Sequence, residues 1–218
     1  MTLLARLRKW RRRVIDMAEA SLSTYGPLPV SPQGRPHYLN DLQDISELPT
    51  ELAVRRAAVY LARLVEDPTF FEVEIRPLLE GTEGRGADWY VAGKHEGNDR
   101  SFSLQVFVWP PGTRTRIHDH SCWGVYCCAV GSVLEERYAR LDDGSKLEHA
   151  HLRKVWALMW SKEDGPSSVL PHDGGIHRVG NPGDRTAISV HLYGPRLGAL
   201  DGRDYDPSRD YVCDRRED

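Results

Sequence analysis

The chain has 218 residues, of which 40% are hydrophobic and 28% charged, a composition that allows one domain with a real core and excludes a disordered or fibrous polymer. The formal net charge is only -3, so no overall basic field points to nucleic acid as a partner, and no apolar run is long enough to span a bilayer. The four cysteines, Cys122, Cys127, Cys128 and Cys213, form no CxxC pair and no secretory leader is expected before them, so the reading places the chain in a reducing cytoplasm.

In chain order, Arg6, Arg8, Lys9, Arg11, Arg12 and Arg13 crowd a stretch in which Leu3, Leu7, Trp10, Val14 and Met17 recur at helical spacing, which predicts a basic amphipathic helix. Its apolar side is expected to pack on the domain or on a second copy of the chain, giving a homodimer in the latter case. Thr24 to Pro49 is rich in Pro, Gly, Ser and Asp and reads as a connector with turns. Ala53 to Glu66 repeats Val54, Ala57, Ala58, Leu61 and Leu64 along one helical face, with Pro68 limiting its C-terminal end. Phe70 to Leu79 mixes both periodicities and is left between helix and strand.

From about Trp89 the texture changes to strands. Phe102 to Trp109 is strand-like and stops at Pro110-Pro111-Gly112. Gly124 to Val133 is apolar and partly β-branched, Val133 to Ala139 alternates, and Leu141-Asp142-Asp143-Gly144 is a turn into further short strands. Arg185 to Tyr193 is another strong strand, and Arg203 to Tyr211 reads as a hairpin around Pro207-Ser208. The mixed charges from Asp201 onward suit a solvated tail or a cover over the mouth of a barrel. Residues 1–88 are therefore expected to form helices, a connector and a packing layer, and residues 89–218 an antiparallel β-barrel or sandwich, together one structural domain of mainly β class.

His118 and His120 flank one residue on a predicted strand, so both imidazoles project from the same face. Histidine nitrogen suits iron, copper, nickel and zinc, and the residue types leave the metal open. His177, in Gly174-Gly175-Ile176-His177-Arg178-Val179-Gly180-Asn181, is the best third ligand. His37, His95, His149 and His151 read as ordinary surface or core histidines. His172 stands beside an Asp-Gly turn signal and is also a candidate for the pocket wall. Trp109, Trp123, Trp156 and Trp160 are expected to pack in the core or at a subunit interface.

Gly112, His118-Asp119-His120, Gly124 and Gly131 at their spacing, followed by His177 and Asn181, resemble the two motifs of the cupin superfamily. The position of the usual motif glutamate is Gly124, which implies a three-histidine site. The stretches Phe107-Val108-Trp109, Ile117-His118-Asp119-His120, His177-Arg178-Val179 and Ser189-Val190-His191-Leu192-Tyr193 are similar, in that order, to the thiol dioxygenases, the family of cysteine dioxygenase and 3-mercaptopropionate dioxygenase.

That resemblance implies a cupin fold, a double-stranded β-helix of jelly-roll type, with N-terminal helices. It implies Fe(2+) held by His118, His120 and His177, with Ser189, His191 and Tyr193 as a catalytic hydrogen-bonded row. It also implies a small thiol and O2 as substrates and a sulfinic acid as product. The row has independent support, since period two on one strand puts all three side chains on one face. Some members crosslink a cysteine to the tyrosine, but that position is Gly124 here, so no crosslink is expected. Cys122 reads as a buried small hydrophobe.

No arginine aligns with the substrate-carboxylate arginine of the cysteine dioxygenases. Tyr90, Arg116, Trp123 and His172 stand as substrate-contact candidates, with Lys94, Arg114 and Arg178 as further anion partners. The alternatives are another three-histidine cupin metalloenzyme acting on a non-thiol substrate, or a non-catalytic metal-binding regulator.

Overall fold

The computed structural model describes residues 37–39, 41–80, 88–97, 100–196 and 201–215. The basic helix and most of the connector expected at the N-terminus lie outside the described residues.

After a short 3-10 turn at His37–Leu39, the helical layer comprises α1 (Leu42–Ser46), α2 (Thr50–Leu64), α3 (Pro68–Phe70), a wide π-type segment (Phe71–Ile75) and α4 (Arg76–Glu80). Helix α2 buries Ala53, Ala57, Ala58, Tyr60, Leu61 and Leu64, most of the apolar face expected from its spacing, with Val54 half-buried. Pro68 also opens the next helix. Its ring suits a first helical position, and the Asp67 carboxylate accepts the Phe70 N–H at 2.9 Å. The ambiguous stretch after it is helical, with a cause for its mixed period. Pro77 has no N–H for the Val73 carbonyl and crowds it. The turn before it widens, so that the Arg76 N–H bonds the Phe71 carbonyl.

Among the described residues eleven strands follow: β1 (Tyr90–Glu96), β2 (Ser103–Trp109), β3 (Ile117–His118), β4 (Gly124–Val130), β5 (Ser132–Arg140), β6 (Leu152–Ser161), β7 (Ser167–Val169), β8 (His177–Gly180), β9 (Ala187–Tyr193), β10 (Gly202–Asp206) and β11 (Tyr211–Arg215). They form two sheets, in the orders β1-β2-β9-β4-β7 and β11-β10-β3-β8-β5-β6, with antiparallel pairing throughout. The fold is a mainly β cupin barrel with helices packed outside it.

Alternation along the strands assigns each face. Leu104, Val106, Val108, Val125, Cys127, Ile188, Val190 and Leu192 join the helices in one apolar cluster. The opposite phase turns inward, where Phe107, Trp109, Cys128 and Ala187 of the first sheet meet Val133, Trp160 and Val179 of the second. No helix among the described residues is long and apolar enough to cross a membrane.

Three sequence expectations are corrected. The run from Gly124 to Val133 is two strands, because Gly131 turns the chain with φ of 68°. The further short strands after Gly144 begin with one ten-residue strand, β6, paired along the length of β5. The charged C-terminal stretch is not a solvated tail: β10 pairs with β3, placing Asp204 opposite His118.

Candidate metal centre

The local backbone at the first histidine pair differs from the expected strand. β3 ends at His118, and His120 lies in the loop beyond. The chain nevertheless continues to bond β10 and its approach, Asp119 N–H to the Arg203 carbonyl at 3.0 Å and Ser121 N–H to the Asp201 carbonyl at 3.2 Å. That extended path keeps both imidazoles on the inner side. His177 begins β8 directly opposite His118.

The ring centroids of His118, His120 and His177 are 4.6 to 5.4 Å apart, and one nitrogen from each lies within 4.8 Å of the others. All three are buried. Nε2 of His120 and Nε2 of His177 are 3.2 Å apart, close to the roughly 3 Å separating neighbouring ligands when metal–nitrogen bonds are about 2.0–2.1 Å. The donor set therefore fits a metal ion.

What holds the other ring nitrogen of His118 and of His177 supports that fit. His118 Nδ1 donates to the Arg116 carbonyl at 2.9 Å, leaving Nε2 free. His177 Nδ1 faces the Glu135 carboxylate at 3.3 Å and the Tyr126 hydroxyl at 3.4 Å. Burial, reinforced by the positive charge of Arg215, depresses the His118 pKa to about 4. Burial and the neighbouring histidines hold His120 and His177 well below the ordinary value. Neutral imidazole is the form a metal requires.

Glu135 is fully buried. It pairs with Arg137, accepts from the Tyr126 hydroxyl, and takes the Ser167 hydroxyl at 2.8 Å. The sequence reading missed this group. The available signal was a carboxylate and a guanidinium following Val133 at period two on β5, the phase that turns inward, but Leu134 on the other phase obscured it.

Asp119, between the two histidines and fully buried, is no ligand. It accepts from the Arg203 backbone N–H at 2.7 Å, from Arg203 Nε at 2.8 Å and from the Tyr205 hydroxyl at 2.7 Å, fastening the C-terminal hairpin to the histidine loop.

Ser189, His191 and Tyr193 share the inner face of β9. Ser189 Oγ lies 2.8 Å from His191 Nε2, and His191 Nδ1 lies 3.0 Å from the Tyr193 hydroxyl. Trp109 extends the row, its Nε1 donating to Ser189 Oγ at 2.8 Å. Burial depresses the His191 pKa to about 3 and raises that of the Tyr193 phenol, so both stay neutral. The Tyr193 ring stands 5.0 Å from that of His120.

A cavity of about 690 Å³ opens over this assembly, lined by the three histidines, His191 and Tyr193. Of the substrate-contact candidates, Arg116 is in its wall and largely exposed, 3.5 Å from Asp204. The wall does not include Tyr90, Trp123 or His172. Tyr90 packs against the helix-side cluster, and Trp123 belongs to it. Trp123 lies so close to Gly194 that a Cβ there would be 2.1 Å from its indole. His172 is exposed in a 3-10 turn with φ of 52°.

Lys94 and Arg114 line the cavity, whereas Arg178 is held by Glu136 on the outer side of the second sheet. Arg196 and Arg215, unremarked in the sequence, also reach it. Arg215 Nη2 is 3.4 Å from His120 Nδ1. Cys122 lines the cavity as well, and burial pushes its thiol up to about 12.

Residues 90–206, more than half of the chain, match the family described as cysteine dioxygenase type I. Solved structures give distant likenesses. A cupin 2 conserved barrel domain protein from Salinispora arenicola is 16% identical, with 49% of this chain and 73% of that one covered and a TM-score of 0.33. TT1209 from Thermus thermophilus is 18% identical, with 48% and 84% covered and a TM-score of 0.34. The cupin domain of Schizosaccharomyces pombe Cnp3 is 14% identical, with 49% and 61% covered and a TM-score of 0.37.

Proposed function

Because the chain belongs to the cysteine dioxygenase type I family, we propose that it is an iron(II)-dependent dioxygenase converting a small thiol and O2 to the sulfinic acid, with cysteine or a 3-mercaptopropionate-like acid as substrate. The observation that carries the reading is the all-histidine donor set, His118, His120 and His177, buried under a cavity that Tyr193 also lines. Both oxygen atoms end on sulfur, so the reaction balances with no external reductant.

Iron(II) bound by three neutral imidazoles would supply open positions for a thiolate and O2, with the thiolate contributing the anionic donor that the protein omits. The chain's own residues do the rest. The Arg116 carbonyl and the Glu135 carboxylate orient His118 and His177 through their Nδ1 atoms. The surrounding burial keeps the histidines unprotonated. Arg196 and Arg215 stand in the wall, each paired with Asp201, and Arg215 reaches His120; in this reading they are the partners for the carboxylate of an acidic thiol. In this reading Tyr193, neutral at physiological pH, donates a hydrogen bond to the bound substrate. The small thiol enters from solvent and the reading requires neither nucleic acid nor a membrane; it places the chain in the cytoplasm.

The test is anaerobic reconstitution with Fe(II), then O2-consumption and sulfinate assays with cysteine, 3-mercaptopropionate, cysteamine, mercaptosuccinate and heterocyclic thiols. Stoichiometric, iron-dependent sulfinate that is abolished in His118→Ala is the expected result. No O2 uptake with any thiol, despite one iron bound per chain, transfers the weight to a three-histidine cupin acting on a non-thiol substrate.

A further inference from the structure

We propose that Trp109 sets the direction of the hydrogen-bond row through Ser189 and His191, so that Tyr193 is left with its hydroxyl proton turned to the cavity. The inference rests on the thiol dioxygenase reading only for the use of that proton; the direction of the row is a property of the folded chain.

An indole N–H can only donate, so Trp109 Nε1, 2.8 Å from Ser189 Oγ, must occupy a lone pair of the serine. Ser189 is buried, and among the described residues its hydroxyl has one other partner, His191 Nε2 at 2.8 Å. The serine proton therefore has one place to go. If His191 carried a proton on Nε2, as the other tautomer or as the imidazolium, Ser189 would receive two donors and its own proton would be buried without an acceptor, a costly arrangement.

With Nε2 accepting, the ring proton sits on Nδ1. It donates to the Tyr193 oxygen 3.0 Å away. That oxygen then accepts along the row, and its proton has no claimant within it. Tyr193 lines the cavity with its ring next to that of His120, so the free proton is offered to bound substrate. Trp109 is a positioning residue: it touches neither the cavity histidines nor Tyr193 by hydrogen bond and acts through two intervening groups.

Its place on the fold explains why it can do this. Trp109 ends β2, opposite Ala187 in the register that puts Phe107 opposite Ser189, and its ring packs in a three-ring cluster with Trp89 and Phe107, at centroid distances of 5.6 Å to each. That packing restrains the indole and with it the Ser189 rotamer. Without the donor, the serine hydroxyl can turn and the bias on His191 falls.

The experiment is long-range 1H–15N correlation of histidine-labelled full-length protein loaded with zinc, which is diamagnetic. The expected result is His191 as the Nδ1–H tautomer, with the ratio of tautomers moving about tenfold toward Nε2–H in Trp109→Phe, the change one neutral hydrogen bond makes. Ser189→Ala, which keeps the indole, should relax the bias in the same sense and serves if Trp109→Phe does not fold. Finding His191 protonated at Nε2 in the unaltered protein overturns the proposal. So does an unchanged tautomer in a folded Trp109→Phe. The readout needs no turnover, so a correct tautomer in a protein that oxidises no thiol would overturn the dioxygenase reading alone.

Discussion

Gly124 and Tyr193 face each other across the β4–β9 pair, and a Cβ on Gly124 would lie 3.0 Å from Cε1 of the tyrosine ring. The glycine is thus the surface against which the phenol rests, at the position where some family members carry a crosslinking cysteine. Gly124→Ala also meets Val169 Cγ2 at 3.0 Å, so the ring is pressed from its place. We expect a stability loss of about 1–3 kcal/mol, the ordinary cost of overpacking, and a fall in kcat larger than any rise in thiol KM. An unchanged kcat would mean that Tyr193 tolerates displacement and does not act on bound substrate.

Glu135 ties the buried Arg137 to His177. Glu135→Ala strands a guanidinium in the interior and should cost about 3–5 kcal/mol, read by chemical denaturation. Glu135→Gln keeps the shape but weakens the acceptor on His177 Nδ1, and metal affinity by competitive titration should fall about 10–100-fold. Equal metal affinity in the glutamine variant would remove the carboxylate from any part in orienting the ligand.

Asp119→Asn tests the fastening of the hairpin. The carboxylate takes Arg203 and the Tyr205 hydroxyl, charge-assisted bonds whose loss should cost about 1.5–3 kcal/mol. Limited proteolysis should then cut within the C-terminal hairpin, and bound metal should exchange faster because His120 follows Asp119 directly. Proteolytic protection equal to the unaltered protein would argue that strand pairing alone holds the hairpin.

Acid should destabilise the metal-free protein earlier than carboxylate titration would. Burial depresses His118 to about 4 and His191 to about 3, while in the unfolded chain a histidine titrates near 6.5. Below about pH 6.5 the unfolded state takes up protons that the folded state refuses. The stabilising difference is full above that pH and is lost progressively as pH falls toward the folded values. Urea midpoints should therefore drop between pH 7 and pH 4, and loaded metal should raise them across the window. A flat midpoint over that range would mean the histidines are not held neutral by burial.

The β9 row was legible in the sequence because its spacing is local, whereas the ligand set was legible through its likeness to known motifs, since His177 lies 57 positions from His120. Period two on one strand puts Ser189, His191 and Tyr193 on one face, and the glycine and histidine spacings stand in a fixed order. The helix α2 was legible for the same reason. Phe70 to Leu79 was not, since Pro77 reshapes the turn before it and blurs the period. Strand pairing was also hidden: β3 is too short to announce itself, and its partners β8 and β10 lie far along the chain.

By itself, then, the sequence determined the row and the mainly β architecture through periodicity within short windows, and the three histidines through their likeness to a family's motifs. Only the tertiary structure decided what stands behind and beside them. Glu135 reaches His177 from a neighbouring strand, Trp109 reaches Ser189 across a sheet ladder, and Arg203 and Arg215 arrive from the final hairpin. Those contacts join residues separated by 42 to 95 positions. No local pattern encodes them, because which strands become neighbours is set by the burial of all the strands' apolar faces together.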